Sequence, residues 1–234
     1  FAHCFTGSAG LPSVTRIADT LVSAGIAVVR FDFAGLGNSE GDFVDSTFTT
    51  DCANLVRVAA AVSETHRPPD LLIGHSLGGA AVLAAAHRIE SVRAVATIGA
   101  PYDPRHVTHL FEDALDQIRN EGQAEVRLGP RTMTVGRELV EDLASVDQPA
   151  AIAALSVPVL VMHSPEDQTV DIHNAQAIYR DSAMPKSFIA LDGADHLLLR
   201  SGHAARAAAM VAVWAEMYLD GSAEPDLISP APGA

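Results

Sequence analysis

Residues 71–81 read Leu71-Leu72-Ile73-Gly74-His75-Ser76-Leu77-Gly78-Gly79-Ala80-Ala81. An apolar run leads into Gly-x-Ser-x-Gly, and small residues follow. The first part has the length and composition of a buried strand, and the last part suits a closely packed helix. A sharp turn between them forces Ser76 into a strained backbone conformation. Only residues without side chains at 74 and 78 let the flanking backbones approach closely enough to tolerate that turn. The turn presents the Ser76 hydroxyl above the sheet and aims the helix N-terminus and the Leu77 amide at any oxyanion formed by attack. The five-residue pattern alone recurs by chance; the strand before it and the helix after it give it meaning.

Outward from this elbow the chain alternates. Apolar, β-branched runs at residues 1–5, 26–33, 94–98, 157–163 and 187–191 mostly lack the polar-out rhythm of a half-exposed strand. Helix-period segments lie between them at 13–24, 49–63, 79–87, 172–180 and 204–219. This order predicts an α/β fold: a mostly parallel sheet of about six strands with helices on both faces, joined by right-handed crossovers. The spacing breaks once, between residues 100 and 157, where an ordinary crossover needs far less chain. Residues 102–120 read as one or two helices, 124–135 as a hairpin turning at Gly129-Pro130, and 136–145 as another helix. An insertion past the carboxyl ends of parallel strands sits over the ligand crevice of such sheets, so residues 102–155 are expected to form a small lid on a domain spanning 1–220. Residues 221–234, rich in Pro, Gly, Ser and Ala, read as a linker or tail.

Composition narrows the function. Of 234 residues, 48% are hydrophobic and 19% charged, which excludes a disordered or fibrous chain. No apolar run approaches the roughly 18–20 residues that cross a bilayer. There are 29 acidic residues against 15 basic ones, a net charge of −14, and Lys186 is the one lysine. Phosphate backbones and anionic lipid surfaces would be repelled, so no nucleic-acid or membrane partner is expected. Cys4 and Cys52 are too few for a disulfide framework and lack zinc spacing; a reducing, cytoplasmic setting is expected. The chain opens at Phe1 without a methionine, as a fragment would.

A serine hydroxyl needs a base oriented by an acid. For a serine on such an elbow the partners follow in chain order, Asp or Glu and then His, each just past a later strand. His196, in Asp192-Gly193-Ala194-Asp195-His196, combines a strand-end loop with that order. Asp167, in Ser164-Pro165-Glu166-Asp167, fits the acid, with Asp103 as competitor and Glu166, Asp192 and Asp195 nearby. His66, His87, His173 and His203 fall in polar settings and read as surface residues. His106 and His109 have a metal-compatible spacing without a third ligand. His75 and His163 read as packing residues, and Asp32 as the tie for the Gly35-Leu36-Gly37 turn. The amides of residues 3–7 can supply the second oxyanion donor. Cys4 has no visible base or cation to activate it and reads as packing.

Assembled in order, these blocks resemble the α/β-hydrolase superfamily over nearly the whole chain: Phe31-Asp32-Phe33-Ala34-Gly35-Leu36-Gly37, the elbow, Leu160-Val161-Met162-His163-Ser164-Pro165-Glu166-Asp167, and Leu191 to His196. More narrowly, residues 1–6, Ala96-Thr97-Ile98-Gly99-Ala100-Pro101 and the hairpin insertion resemble the hydrolase half of bifunctional proteins fused to an OsmC-like domain. The resemblance implies an esterase-type serine hydrolase acting on small or medium carboxylic esters. In it Ser76 is the nucleophile, His196 the base and Asp167 the acid, and the Phe5 and Leu77 amides form the oxyanion hole. It implies no metal or organic cofactor and a small-molecule ester as partner. The superfamily's leading antiparallel strands would precede Phe1, and many members carry Gly where Cys4 stands. The OsmC-like half with its peroxidatic cysteines is absent from this chain, so no peroxidase activity is expected. A thioesterase, a peptidase, a cofactor-free perhydrolase and a non-catalytic ligand-binding module are the rival readings.

Overall fold

The computed structural model describes residues 1–200 and 202–219; the expected tail, 221–234, lies outside them. Four parallel strands form the main sheet: β1 (Leu71–His75), β2 (Ala94–Ile98), β5 (Val159–His163) and β6 (Lys186–Ala190), in spatial order β1-β2-β5-β6. A separate antiparallel hairpin, β3 (Gln123–Leu128) and β4 (Arg131–Gly136), lies in the insertion.

Neighbouring residues on β1, β2 and β5 feed opposite cores, as parallel strands buried on both faces require, while the edge strand β6 is only partly buried. Ile73, Ala96, Ile98, Leu160 and Met162 pack against helices α1 (Pro12–Ser23) and α8 (His203–Ala215) through Ile17, Leu21, Ala207 and Val211. Leu72, Val95, Val159 and Val161 face the other way, toward α2 (Phe48–Thr65), α3 (Leu77–Ala85) and α7 (His173–Asp181). Helix α2 begins at Thr47, whose side chain and that of Thr50 reciprocally satisfy each other's amides in a capping box. Helix α3 is small-residue and buried almost throughout, with Gly79 so close to β2 that a Cβ there would lie 2.6 Å from the Ala100 Cβ.

The sheet has four strands where the sequence predicts about six. Residues 1–5 do run beside β1, but the ladder is one bridge long: the Ala2 amide donates to the Ile73 carbonyl at 2.9 Å and the His75 amide to the Ala2 carbonyl at 3.0 Å. A turn closes at once, the Gly7 amide bonding the Cys4 carbonyl with Thr6 at φ 54°. Residues 26–33 touch this segment through the Phe1 ammonium, which donates to the Val29 carbonyl at 2.8 Å. Ala2, His3 and Cys4 are buried, but of residues 26–33 only Phe33 is, with Ala27, Val29 and Arg30 exposed; burial and strand pairing both depend on neighbours that composition does not reveal.

The insertion contains a 3₁₀ stretch (Pro104–Ala114), α4 (Leu115–Glu121), the β3–β4 hairpin, α5 (Arg137–Ser145) and α6 (Gln148–Ala153). The hairpin turns at Gly129, φ +61°, as the Gly-Pro pair predicts. Its buried residues Ala124, Val126, Leu128 and Val135 join the same core as α2 and α3. No helix among the described residues is long and apolar enough to cross a membrane.

Candidate active site

The loops after β1, β5 and β6 converge at the carboxyl end of the sheet. At the first, Ser76 adopts φ 55° and ψ −126°, a region that costs an L-residue about 1–3 kcal/mol. The elbow is pinned by its amide, which donates to the Ile98 carbonyl at 2.9 Å. A Cβ on Gly74 would lie 2.3 Å from the Gly78 carbonyl oxygen, and one on Gly78 would lie 2.4 Å from the His3 carbonyl oxygen. Glycine at both positions is therefore a steric requirement.

The other two loops bring Asp167 and His196 to the serine. His196 Nε2 lies 2.9 Å from Ser76 Oγ, and its Nδ1 lies 2.7 Å from Asp167 Oδ2. Asp167 Oδ1 accepts the amides of Thr169 at 2.8 Å and Val170 at 3.0 Å. Burial alone would push the Asp167 carboxyl up, but the His196 hydrogen bond and charge together with the two amides hold it below the usual carboxylate range. A carboxylate at Nδ1 keeps the ring proton there and leaves the Nε2 lone pair facing the hydroxyl. The arrangement can take a proton from Ser76 Oγ as that oxygen attacks an electrophile, and return it to a leaving group. Leu77 opens α3, and Phe5 follows the bridge to β1; among the described residues neither amide donates to a protein acceptor. Both are thus available to an oxyanion.

A family model described as the alpha/beta hydrolase family matches residues 1–212. The chain belongs to the alpha/beta hydrolase family. Among solved structures, it is 44% identical to the esterase domain of a Rhodothermus marinus protein, covering 93% of this chain and 85% of that one at a TM-score of 0.76. Two more distant structures share the fold. The ferulic-acid complex of Est1E from Butyrivibrio proteoclasticus is 19% identical, covering 93% and 87% at TM-score 0.75. Mouse alpha/beta hydrolase domain-containing protein 10 is 18% identical, covering 93% and 88% at TM-score 0.76. No curated protein matches the chain.

In this member of the alpha/beta hydrolase family the competing acids are engaged elsewhere. Asp103 caps the 3₁₀ stretch through the Arg105 amide at 2.9 Å and pairs with the Arg105 guanidinium. Asp195 receives the amides of Leu199 and Arg200, both at 3.0 Å. Glu166 Oε2 accepts from Ser164 Oγ at 3.1 Å and from the Gly193 amide at 3.0 Å, so it ties the Asp167 loop to the His196 loop. Asp32 accepts the amides of Ala9 at 2.6 Å and Asn38 at 2.9 Å, and a Cβ on Gly37 would meet its carboxylate at 2.2 Å. Burial pushes the Cys4 thiol up to about 11, leaving it protonated.

Two histidines matter more than their reading as packing residues suggests. His75 Nε2 donates to the His196 carbonyl at 2.7 Å, joining the elbow to the backbone of its partner, and burial lowers its pKa to about 4. His163 donates from Nε2 to the Val170 carbonyl at 2.7 Å and lies 3.7 Å from Asp167 Oδ2. Its buried Nδ1 has no partner among the described residues. Gly99, just past β2, has φ +58°, a backbone that favours glycine, and lies against the pair: a Cβ there would stand in ordinary contact, 3.4 Å from Asp167 Oδ2 and 3.5 Å from His196 Nδ1. No sequence signal distinguishes these three from core residues. His66, His87 and His173 are exposed, as expected, while His203 is half-buried. His106 Nε2 donates to the carbonyl of Thr169 at 2.7 Å, the residue whose amide Asp167 accepts. Among the described residues no group of three His, Cys, Asp or Glu could hold a metal ion.

Proposed function

We propose that this chain is a serine hydrolase of small or medium carboxylic esters. The observation that carries the reading is the unbroken hydrogen-bond chain from Ser76 Oγ through His196 to Asp167, at 2.9 and 2.7 Å. Ser76 Oγ attacks the ester carbonyl carbon while His196 Nε2 takes its proton, and the Phe5 and Leu77 amides hold the oxyanion. Collapse of the tetrahedral species breaks the carbon–oxygen bond, and Nε2 returns the proton to the departing alcohol. Water then gives a proton to Nε2 and its oxygen to the acyl carbon, the acid leaves, and Ser76 recovers its hydrogen. Asp167 keeps the imidazole oriented and stabilises its charged form. Every proton moves between groups of this chain, substrate and water, so the scheme calls on no cofactor.

The esterase description of the Rhodothermus marinus domain, 44% identical, favours esters over thioesters, peptides or perhydrolysis on the same residues. The insertion, residues 102–155, is proposed to cover the crevice: Arg131 Nη1 donates to the Thr6 carbonyl at 3.3 Å, and the Phe111 ring lies 6.2 Å from Phe5. A cytoplasmic location, which rests on the sparse cysteines, and an OsmC-like partner domain, which rests on the sequence resemblance, belong to the same proposal. Labelling with a fluorophosphonate tests the core of the reading. Adduct on Ser76, lost together with ester turnover in Ser76→Ala, is expected; persistent labelling at another serine would move the nucleophile.

A further inference from the structure

Ser76 and His196 reach the site from opposite ends of the strand order β1-β2-β5-β6: β1 leads into Ser76, and the loop after β6 carries His196. Strand pairing joins each strand only to its neighbours, so it does not set their separation, and contacts between the loops must fix it. On the Asp167 side the His196 loop is held by the Glu166 carboxylate, which accepts the Gly193 amide at 3.0 Å. On the elbow side it is held by His75, the residue immediately before Ser76. His75 Nε2 lies 2.7 Å from the His196 carbonyl oxygen, and no other described residue donates to that oxygen. A carbonyl oxygen only accepts, so Nε2 carries the proton of the His75 ring. The residue is 2% exposed, and its ring stands 5.3 Å from the His196 ring between centroids. Ser76 Oγ and Asp167 Oδ2 bond His196 and not His75, so any effect of His75 on the chemistry passes through His196.

We propose that His75 is a positioning residue: by donating to the main-chain carbonyl of His196, it sets the distance at which that imidazole stands from the Ser76 hydroxyl. The inference rests on the ester-hydrolase reading above and adds a residue to its machinery. The tie is stiff at the elbow end. The His75 amide donates to the Ala2 carbonyl at 3.0 Å and the Ser76 amide to the Ile98 carbonyl at 2.9 Å, so the His75 ring hangs from the same pinned turn as Ser76. Moving His196 away from Ser76 then means breaking the 2.7 Å bond or moving the turn. Without the bond the His196 carbonyl is left unpaired in a part-buried place, and the loop relaxes toward water to satisfy it, carrying the imidazole with it. A misplacement of about 1 Å can cost on the order of a hundredfold in rate. Burial above all, and then the neighbouring His196, lowers the His75 pKa to about 4. Near neutral pH the ring therefore stays neutral and adds no charge against the imidazolium that forms when His196 takes the serine proton.

The test compares the wild-type chain with three variants on a small 4-nitrophenyl ester. In His75→Gln the side-chain amide reaches the Nε2 position and can donate. His75→Met has similar length and no donor, and in His75→Asn the amide nitrogen falls at the Nδ1 position, short of the carbonyl. Turnover is expressed per Ser76 labelled to completion by a fluorophosphonate, so molecules that fail to fold do not enter the rate. His75→Met and His75→Asn should lose at least roughly tenfold in kcat with KM within roughly threefold of wild type, and His75→Gln should recover most of that loss. A merely structural role lowers the number of labelled sites and leaves the kcat of each unchanged; that result overturns the proposal, as does a His75→Gln chain no faster than His75→Met, or a loss confined to KM. Should His75→Met not fold, the contrast of His75→Gln with His75→Asn decides. If both lack the wild-type circular dichroism spectrum, the bond holds the fold and the positioning role is overturned. In each of these cases a wild type that turns over and labels at Ser76 keeps the hydrolase reading. A wild type that does neither overturns that reading, and the positioning role falls with it.

Discussion

Replacing Asp167 by asparagine probes its proposed role as the acid with a single heavy atom exchanged. The two oxygens of the carboxylate have different duties, and this decides how the amide would sit. Oδ1 faces two N–H donors, those of Thr169 and Val170, so the asparagine carbonyl oxygen must take that place and the NH₂ group must take the other. The NH₂ then points at His196 Nδ1, 2.7 Å away in the wild type, and donates to it. The ring proton is driven to Nε2, the atom 2.9 Å from Ser76 Oγ, and the lone pair needed to take the serine proton is gone. The negative charge that steadies the imidazolium is lost with it. In another serine hydrolase this exchange costs about 10⁴ in kcat, equivalent to about 5.5 kcal/mol of barrier. We expect at least a roughly thousandfold fall in kcat on a small chromogenic ester, with an unchanged far-ultraviolet circular dichroism spectrum. Asp103→Asn, which disturbs only a cap and an exposed ion pair, should change kcat by less than roughly tenfold. A folded Asp167→Asn protein within tenfold of wild type would refute the tautomer argument, and the reverse ranking would move the acid to Asp103.

Ser76→Gly should be inactive yet more stable than wild type by about 1 kcal/mol in urea, because glycine relieves the positive φ; equal or lower stability would show that the elbow is unstrained. Asp51 has a folded pKa raised above its unfolded value, so the folded state holds the extra proton and stability falls as pH rises from about 4 to about 7. Asp51→Asn should flatten that stretch of the stability profile and gain about 2 kcal/mol at pH 8; a parallel, merely offset profile would contradict the assignment. Arg131→Ala removes the contact from the hairpin to Thr6 and should shift acyl-chain preference at least roughly threefold with a Tm change below about 2 °C. Unaltered preference with a large Tm loss would make the hairpin a structural element and not a cover.

The elbow was legible because it is local. Strand, glycines, serine and small-residue helix occupy eleven consecutive residues, and the steric reason for each glycine can be stated without knowing the rest of the fold. Asp167 and His196 followed from chain order, since each closes a loop directly after an apolar strand. What sequence did not reveal depends on pairing across distance. Residues 26–33 have strand composition and no ladder. His75 reads as a packing residue until the His196 carbonyl, 121 positions away, is placed over its Nε2. The insertion reads as an appendage by its position in the chain, yet the alternation along β3 puts Ala124, Val126 and Leu128 in the main core. That alternation was visible, but nothing in the sequence says what its buried face meets.

The order β1-β2-β5-β6 also has a kinetic consequence. Ser76 is carried by the first of these strands and its two partners by the last two, and β2 and β5 pair only after the chain between Ile98 and Val159 has been closed into a loop. Closure of so long a segment is entropically slow compared with forming any single helix or turn here. Refolding would therefore regain helical signal before it regains the Ser76–His196 bond. Catalytic recovery, followed after dilution from denaturant, would time the joining of the two halves of the sheet, making the enzyme's own turnover a clock for a long-range folding step.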